Sequence, residues 1–311
     1  MFKVKYPKIY TAIFSAICVS TILYACKSVV PKTNTSTVAA AAASKPMRIL
    51  VFSKTKGFYH SSIPAGIAAM QKLGKEHNII VDTTKNSDYF VEDSLKHYSA
   101  VIFLSTTMNV LNANQQVQFE RYIQAGGGYA GIHAAADTEY DWPWYNKLVG
   151  AYFLSHPGNP NVRKATIDVN DTTHISTKGL PKRWERTDEW YNYKNIYDGI
   201  KVLARLDERT YEGGENGTDH PIAWYHEYDG GRAFYTGGGH TDESFSEPLF
   251  LNHLLGGIKY SMGSGVLDYT KAYSVRKPED NRFTKTILSN DLNEPMELSV
   301  APDVKTTSFG S

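Results

Sequence analysis

Five of the ten histidines stand where short apolar runs give way to polar or glycine-rich segments. His60 closes Gly57-Phe58-Tyr59-His60, and His133 closes the apolar run Tyr129-Ala130-Gly131-Ile132. His156 lies in Ser155-His156-Pro157, His220 in Asp219-His220-Pro221, and His240 follows Gly237-Gly238-Gly239. Imidazoles titrate near neutral pH, so such a set can exchange protons with a bound substrate. Neutral imidazoles with a carboxylate can equally hold zinc, manganese or a similar divalent ion and leave one position for water. Glu189, in Asp188-Glu189-Trp190-Tyr191, supplies a carboxylate as base or ligand, and Asp137 is expected to orient an imidazole. No His-x-x-x-His spacing occurs on a helix, so a metal site made of His60, His133 and His240 requires convergence over long distances in the chain. His77, His97, His174, His226 and His253 fall in helical or surface contexts and receive no role.

These residues need a scaffold that gathers them. Met47 to Phe52 reads as a buried strand, followed by a helix with Ile63, Ile67, Met70 and Leu73 on one face and Ser62 as its cap. Ile79 to Val81 and Ala100 to Leu104 are further apolar strands. Asn112 opens a second helix, which Gly126-Gly127-Gly128 stops before the strand ending at His133. Apolar strands alternating with helices predict an α/β fold: an open, mostly parallel, doubly wound sheet with helices on both faces. The C-terminal ends of such strands converge on one crevice, so His60, His133 and His240 should share a cleft. The second half offers strands at Ala165 to Val169 and Lys201 to Leu206, a hairpin around Asp229-Gly230-Gly231, and a helix from Glu247 to Ser261. His133 occupies the strand–turn–helix elbow where a hydrolase places its nucleophile, which points to acid–base or ligand duty instead of acyl transfer.

The 311 residues carry 33 Lys+Arg against 32 Asp+Glu, a formal charge of +1 that offers no field for a phosphate backbone. Nucleic acid is therefore not an expected partner. Hydrophobic residues at 41% exclude a disordered chain. The two cysteines, Cys18 and Cys26, lie near the N-terminus, which excludes a disulfide framework and a catalytic thiol in the body. Lys3, Lys5 and Lys8 precede an apolar run from Ile9 to Ala25, the pattern of an export signal. Leu23-Tyr24-Ala25-Cys26 resembles a bacterial lipobox, so residues 1–25 are expected to be removed and Cys26 lipidated. Loss of the three lysines takes the charge from +1 to −2. Residues 26–46 then form a flexible tether, and a folded domain spans 47–262. The chain is expected to be exported, periplasm-facing and attached to the membrane only through its lipid.

Residues 47–262 resemble the ThuA-like (trehalose-utilisation) family, whose fold is similar to class I glutamine amidotransferases and hence flavodoxin-like. The resemblance is carried by six ordered segments: Gly57 to His60, Gly128 to Ala135, Ser155 to Pro157, Asp188 to Tyr191, Asp219 to Pro221 and Gly231 to Thr241. Amidotransferases use a cysteine at the elbow, and this domain has none, so glutamine hydrolysis is dropped. The family's name and gene neighbourhoods imply sugar metabolism, especially of 3-keto-glycosides. The tail, 263–311, has strand-like runs at Phe283 to Leu288 and Met296 to Val300 and resembles the start of a sugar-dehydrogenase β-propeller.

Two functions then follow. One is an enzyme acting on a sugar or 3-keto-sugar, such as an isomerase, an epimerase, a lyase or a hydrolase. Its catalytic set would be His133, His60, His156, Glu189 and His240, with Phe58, Tyr59, Asp137, Trp190 and His220 contacting substrate. Trp142 and Trp144 are further candidates to stack on sugar rings. The other is a non-catalytic carbohydrate-binding module that serves a sugar dehydrogenase.

Overall fold

The computed structural model describes residues 46–275. The export signal, the tether, Cys26 and the two strand-like runs of the tail lie outside the described residues. In chain order the elements are β1 (Met47–Phe52), α1 (Ile63–Glu76), β2 (Ile79–Thr84), α2 (Glu92–Leu95), β3 (Ala100–Leu104), α3 (Ala113–Gln124), β4 (Gly128–Ile132) and α4 (Pro143–Val149). The second half adds β5 (Tyr152–Ser155), β6 (Val162–Val169), β7 (Arg183–Glu189), β8 (Asn192–Lys194), β9 (Lys201–Asp207), β10 (Pro221–Tyr228), β11 (Gly231–Thr236) and α5 (Pro248–Met262).

Nine strands form one sheet in the order β2-β1-β3-β4-β11-β10-β9-β6-β7. The five from β2 to β11 run parallel, and β10, β9, β6 and β7 extend them as an antiparallel meander. The fold is thus the α/β type that the strand–helix alternation predicts. Strand β3 shows why both faces are covered. Successive side chains of a strand point to opposite sides: Phe103 packs on Phe119 of α3 and Tyr145 of α4, while Leu104 meets Gly66 of α1. Phe52, Phe90, Phe103 and Phe119 are fully buried together, and each contributes about 1.5–3 kcal/mol of transfer free energy.

Local signals hold at several joints. Asn112 caps α3 through a full capping box with Gln115. The Asp229-Gly230 turn joins β10 to β11 as expected. Ser62 departs from its expected role. It precedes α1, but its hydroxyl makes no cap and donates instead to the Gly239 carbonyl at 3.0 Å. Among the described residues no helix is long and apolar enough to cross a membrane.

Strand β7 was not foreseen, and its sequence explains why. Its inward positions are Trp184, Arg186 and Asp188, so a charged pair stands where apolar residues normally mark a buried face. Arg186 is accommodated because its guanidinium donates to Glu247 at 2.7 Å and to Ser244 at 3.0 Å, lies 3.3 Å from Asp188, and covers the Phe250 ring at 4.2 Å.

A buried imidazole–carboxylate site at the strand ends

Because β1, β3, β4 and β11 are parallel, their C-terminal ends deliver the following loops to one edge. His133 follows β4 directly. Its φ of 51° lies in the left-handed region, which costs a non-glycine residue about 1–3 kcal/mol. The surroundings fix that conformation: Tyr235 donates to the His133 carbonyl at 2.8 Å, and His133 Nδ1 donates to the Gly237 carbonyl at 2.9 Å. With Nδ1 so engaged, Nε2 presents its lone pair inward. His133 Nε2 stands 3.2 Å from His240 Nδ1 and 3.3 Å from Glu189 Oε2.

His240 arrives from the glycine run after β11. Gly239 has φ of 114°, a conformation open to glycine, and a Cβ there would press on Ile132 and Phe245. His60, from the loop after β1, is buried with its ring edge-on to His133 and His240, at 4.8 and 5.2 Å between centroids. Its Nδ1 has no hydrogen-bond partner.

Glu189 comes from a different part of the fold. Strand β7 stands five places from β4 in the sheet order, a span of about 24 Å in a flat sheet. Yet its last residue touches His133, so the antiparallel half curls back over the parallel strand ends. Glu189 Oε2 lies 3.1 Å from His240 Nδ1, while Oε1 accepts a short hydrogen bond from Asn161 and lies 3.7 Å from His156 Nε2. Ligand-capable atoms of His60, His133, Glu189 and His240 all fall within 4.8 Å of one another, a set that could hold a metal ion.

The electrostatics follow from this crowding. Burial pushes His60 down to about 2, helped by the neighbouring imidazoles, so it stays neutral. Burial alone would raise Glu189, but its contacts with His133 and His240 outweigh that and hold the carboxyl well below the usual range. His240 is lowered by burial and raised more strongly by Glu189, so its net shift is upward. Asp137 is raised by burial, partly offset by the Tyr140 hydroxyl that donates to it at 2.6 Å.

A cleft of about 360 Å³ opens onto this cluster, lined by Phe58, His60, Asp137, Phe153, His156, Asn161, Glu189, Tyr191 and His240. All five residues expected to be catalytic therefore meet around Glu189, and Phe58 and Asp137 of the substrate set line the same space. Other expectations need correction. Asp137 holds Tyr140, and the imidazole it was expected to orient is held by the Gly237 carbonyl instead. Trp190, the residue after β7, is fully buried with its indole N–H on the Arg163 carbonyl of β6, so it packs in the core and is not part of the cleft lining. His220 is fully buried between Glu208 at 2.7 Å and the Tyr191 carbonyl at 2.8 Å, and it braces a loop. Tyr59 is half-exposed outside the cleft lining, beside Lys85. Trp142 and Trp144 stack on each other, tied to Glu120 and Asp229.

Asp188 and Asn161 were missed as site residues. Asp188 is fully buried and accepts from the Gly239 and His240 amides and the Ser244 hydroxyl. Its position beside Glu189 was the available signal. Asn161 carried none, since β7 was not foreseen and it is the pairing of β6 with β7, with Val162 opposite Glu189, that brings Asn161 to the carboxylate.

Residues 48–261 match the family described as ThuA, trehalose utilisation. A ThuA-like protein of Bacteroides uniformis is 23% identical with a TM-score of 0.61, over 72% of this chain and 94% of that one. A ThuA-like protein of Parabacteroides merdae is 18% identical with a TM-score of 0.54, over 72% of this chain and 92% of that one. At such identities the likeness is one of fold. No curated protein matches the chain.

Proposed function

The chain belongs to the ThuA, or trehalose-utilisation, family, and from that membership we propose that it is an enzyme acting on a small sugar or keto-sugar in the His60–His133–Glu189–His240 cleft. The observation that carries this reading is the composition of the cleft. Aromatic faces of Phe58, Phe153 and Tyr191 stand beside the polar arms of Asp137, Asn161 and His156, above a buried cluster of imidazoles around one carboxylate. Apolar faces with a few convergent polar groups suit a sugar ring.

A keto-sugar has an acidic C–H beside its carbonyl. Its removal needs a base at the carbon and positive charge at the oxygen, to stabilise the enediolate. Glu189 is enclosed by His133, His240, His156 and Asn161, so it serves to hold positive charge at the floor of the cleft: it raises the His240 imidazole, and with the histidines it forms a set that could hold a metal ion. Asp137 and His156 line the open part of the cleft, and they are the groups placed to take and return the proton. Burial raises the Asp137 carboxyl, which brings it closer to the pH at which it can do both. Isomerisation, epimerisation and eliminative cleavage all run through such an intermediate.

The reading includes export and attachment through Cys26, supported by the N-terminal Lys3, Lys5 and Lys8, the apolar run after them and the Leu23 to Cys26 sequence.

The test incubates purified protein with disaccharides and 3-keto-disaccharides, with calorimetry and product analysis by mass spectrometry. Turnover in the wild type and a loss of about 10²–10⁴-fold in Asp137→Asn are expected. Sugar binding with no product over hours would replace the enzyme by a binding module.

A further inference from the structure

We propose that His60, His133, Glu189 and His240 bind one divalent first-row transition metal ion. The inference deepens the functional reading and rests on the same cleft being the working site.

Geometry carries it. Around a zinc-sized ion, ligand atoms about 2.0–2.1 Å from the metal stand about 3.3–3.4 Å apart in a tetrahedron. The three inner separations are 3.1 Å (His240 Nδ1 to Glu189 Oε2), 3.2 Å (His133 Nε2 to His240 Nδ1) and 3.3 Å (His133 Nε2 to Glu189 Oε2). They form one nearly equilateral face of a coordination shell. His60 adds a fourth ligand: it is 3% exposed, edge-on to both other imidazoles, with a buried nitrogen that has no partner.

Hydrogen-bond inventory points the same way. His133 spends its ring proton on the Gly237 carbonyl, so its Nε2 is an acceptor facing the acceptor Oε2 of Glu189. One proton on His240 Nδ1 can be shared between those two, but it leaves His60 orphaned. A cation among all four satisfies every lone pair.

The outer groups are arranged as ligand supports. The Gly237 carbonyl sets the His133 tautomer, Asn161 holds Oε1 so that Oε2 turns inward, and Asp188 pins the backbone of His240. Three imidazoles and one carboxylate favour zinc, manganese, iron, cobalt or nickel over magnesium and calcium, which take oxygen ligands. Four protein ligands complete a tetrahedron, so a water or a substrate oxygen from the cleft would join by expanding the shell to five positions.

The experiment strips the purified full chain with a chelator and dialyses it separately against zinc, manganese, magnesium and calcium chlorides. Metal per chain is then measured by plasma mass spectrometry, and melting temperature is followed in parallel. About one equivalent of zinc or manganese should remain, with a raised Tm, and neither magnesium nor calcium should be retained. Glu189→Gln and His60→Ala should weaken retention at least tenfold, whereas the exposed-site variant His97→Ala should match wild type. Should either cleft variant fail to fold, His240→Ala and anomalous scattering from wild-type crystals at the zinc edge provide the same readout. No retained transition metal, or a full equivalent retained in the cleft variants, overturns the proposal. A loaded protein without turnover removes the sugar-enzyme reading and leaves the ion. Turnover by protein that retains no transition metal after loading removes the ion and leaves the enzyme.

Discussion

The Asp188 carboxylate accepts the His240 backbone N–H at 3.0 Å, so a buried charge on β7 fixes the residue that follows the glycine run of β11. The same carboxylate takes the Gly239 N–H at 2.8 Å and sits 3.3 Å from Arg186. Asp188→Ala leaves Arg186 buried beside an empty acceptor site. A loss of about 3–5 kcal/mol in urea unfolding is expected. A loss below 1 kcal/mol would show that the pair is not what holds this edge.

Gly239 and Gly179 separate backbone strain from site geometry. Both have positive φ, of 114° and 88°. At Gly179 an added Cβ meets nothing within 4 Å, whereas at Gly239 it reaches Ile132 at 3.1 Å and Phe245 at 3.2 Å. Gly179→Ala should cost about 1–2 kcal/mol and leave turnover intact. Gly239→Ala should cost more and also displace His240, with turnover falling at least tenfold. Equal activity in the two variants, measured at matched folded fraction, contradicts this account.

Acid should destabilise the domain through two histidines outside the cleft. Burial lowers His226 and His253 to about 4, against the pull of carbonyl acceptors at Lys147 and Ser176. Above pH 6.5 neither state binds these protons, and the full stability is present. As pH falls from 6.5 towards 4 the unfolded chain takes up protons that the folded one refuses. Each group then removes up to about 1.4 kcal/mol per pH unit. The urea midpoint should therefore drop between pH 7 and pH 5; a constant or rising midpoint is the contrary result.

Phe58 and His220 were assigned alike from the chain, and mutation should part them. Phe58 is 64% exposed, lines the cleft and meets His60 edge-on at 4.8 Å. Phe58→Ala should raise KM about 5-fold, the equivalent of one lost aromatic contact of about 1 kcal/mol, with Tm nearly unchanged. His220→Gln should lower Tm and leave KM alone, because His220 contacts Glu208 and the Tyr191 carbonyl. Steady-state kinetics beside thermal melts decide the pair.

What could be read from the chain was whatever depends on local pattern. Apolar runs alternating with helical faces gave β1, α1, β3, α3 and β4. Parallel strands then required His60, His133 and His240 to emerge at one edge, because the handedness and direction of such connections leave no other arrangement. The histidines were legible because each follows a strand that is itself legible.

The tertiary structure decided the rest, for a reason visible in β7. Trp184, Arg186 and Asp188 face inward there, and only the partners Glu247, Ser244 and the backbone of residues 239–240 make such burial tolerable. Those partners lie more than fifty residues away, so no window of sequence contains both halves of the bargain. The curl that brings Glu189 to His133 depends on how the antiparallel strands fold over the parallel ones, while the burial of Trp190 and His220 and the recruitment of Asn161 depend on pairings within the antiparallel half that the unforeseen β7 completes. Sheet curvature arises from summed twist and side-chain packing across many strands, and no single residue encodes it.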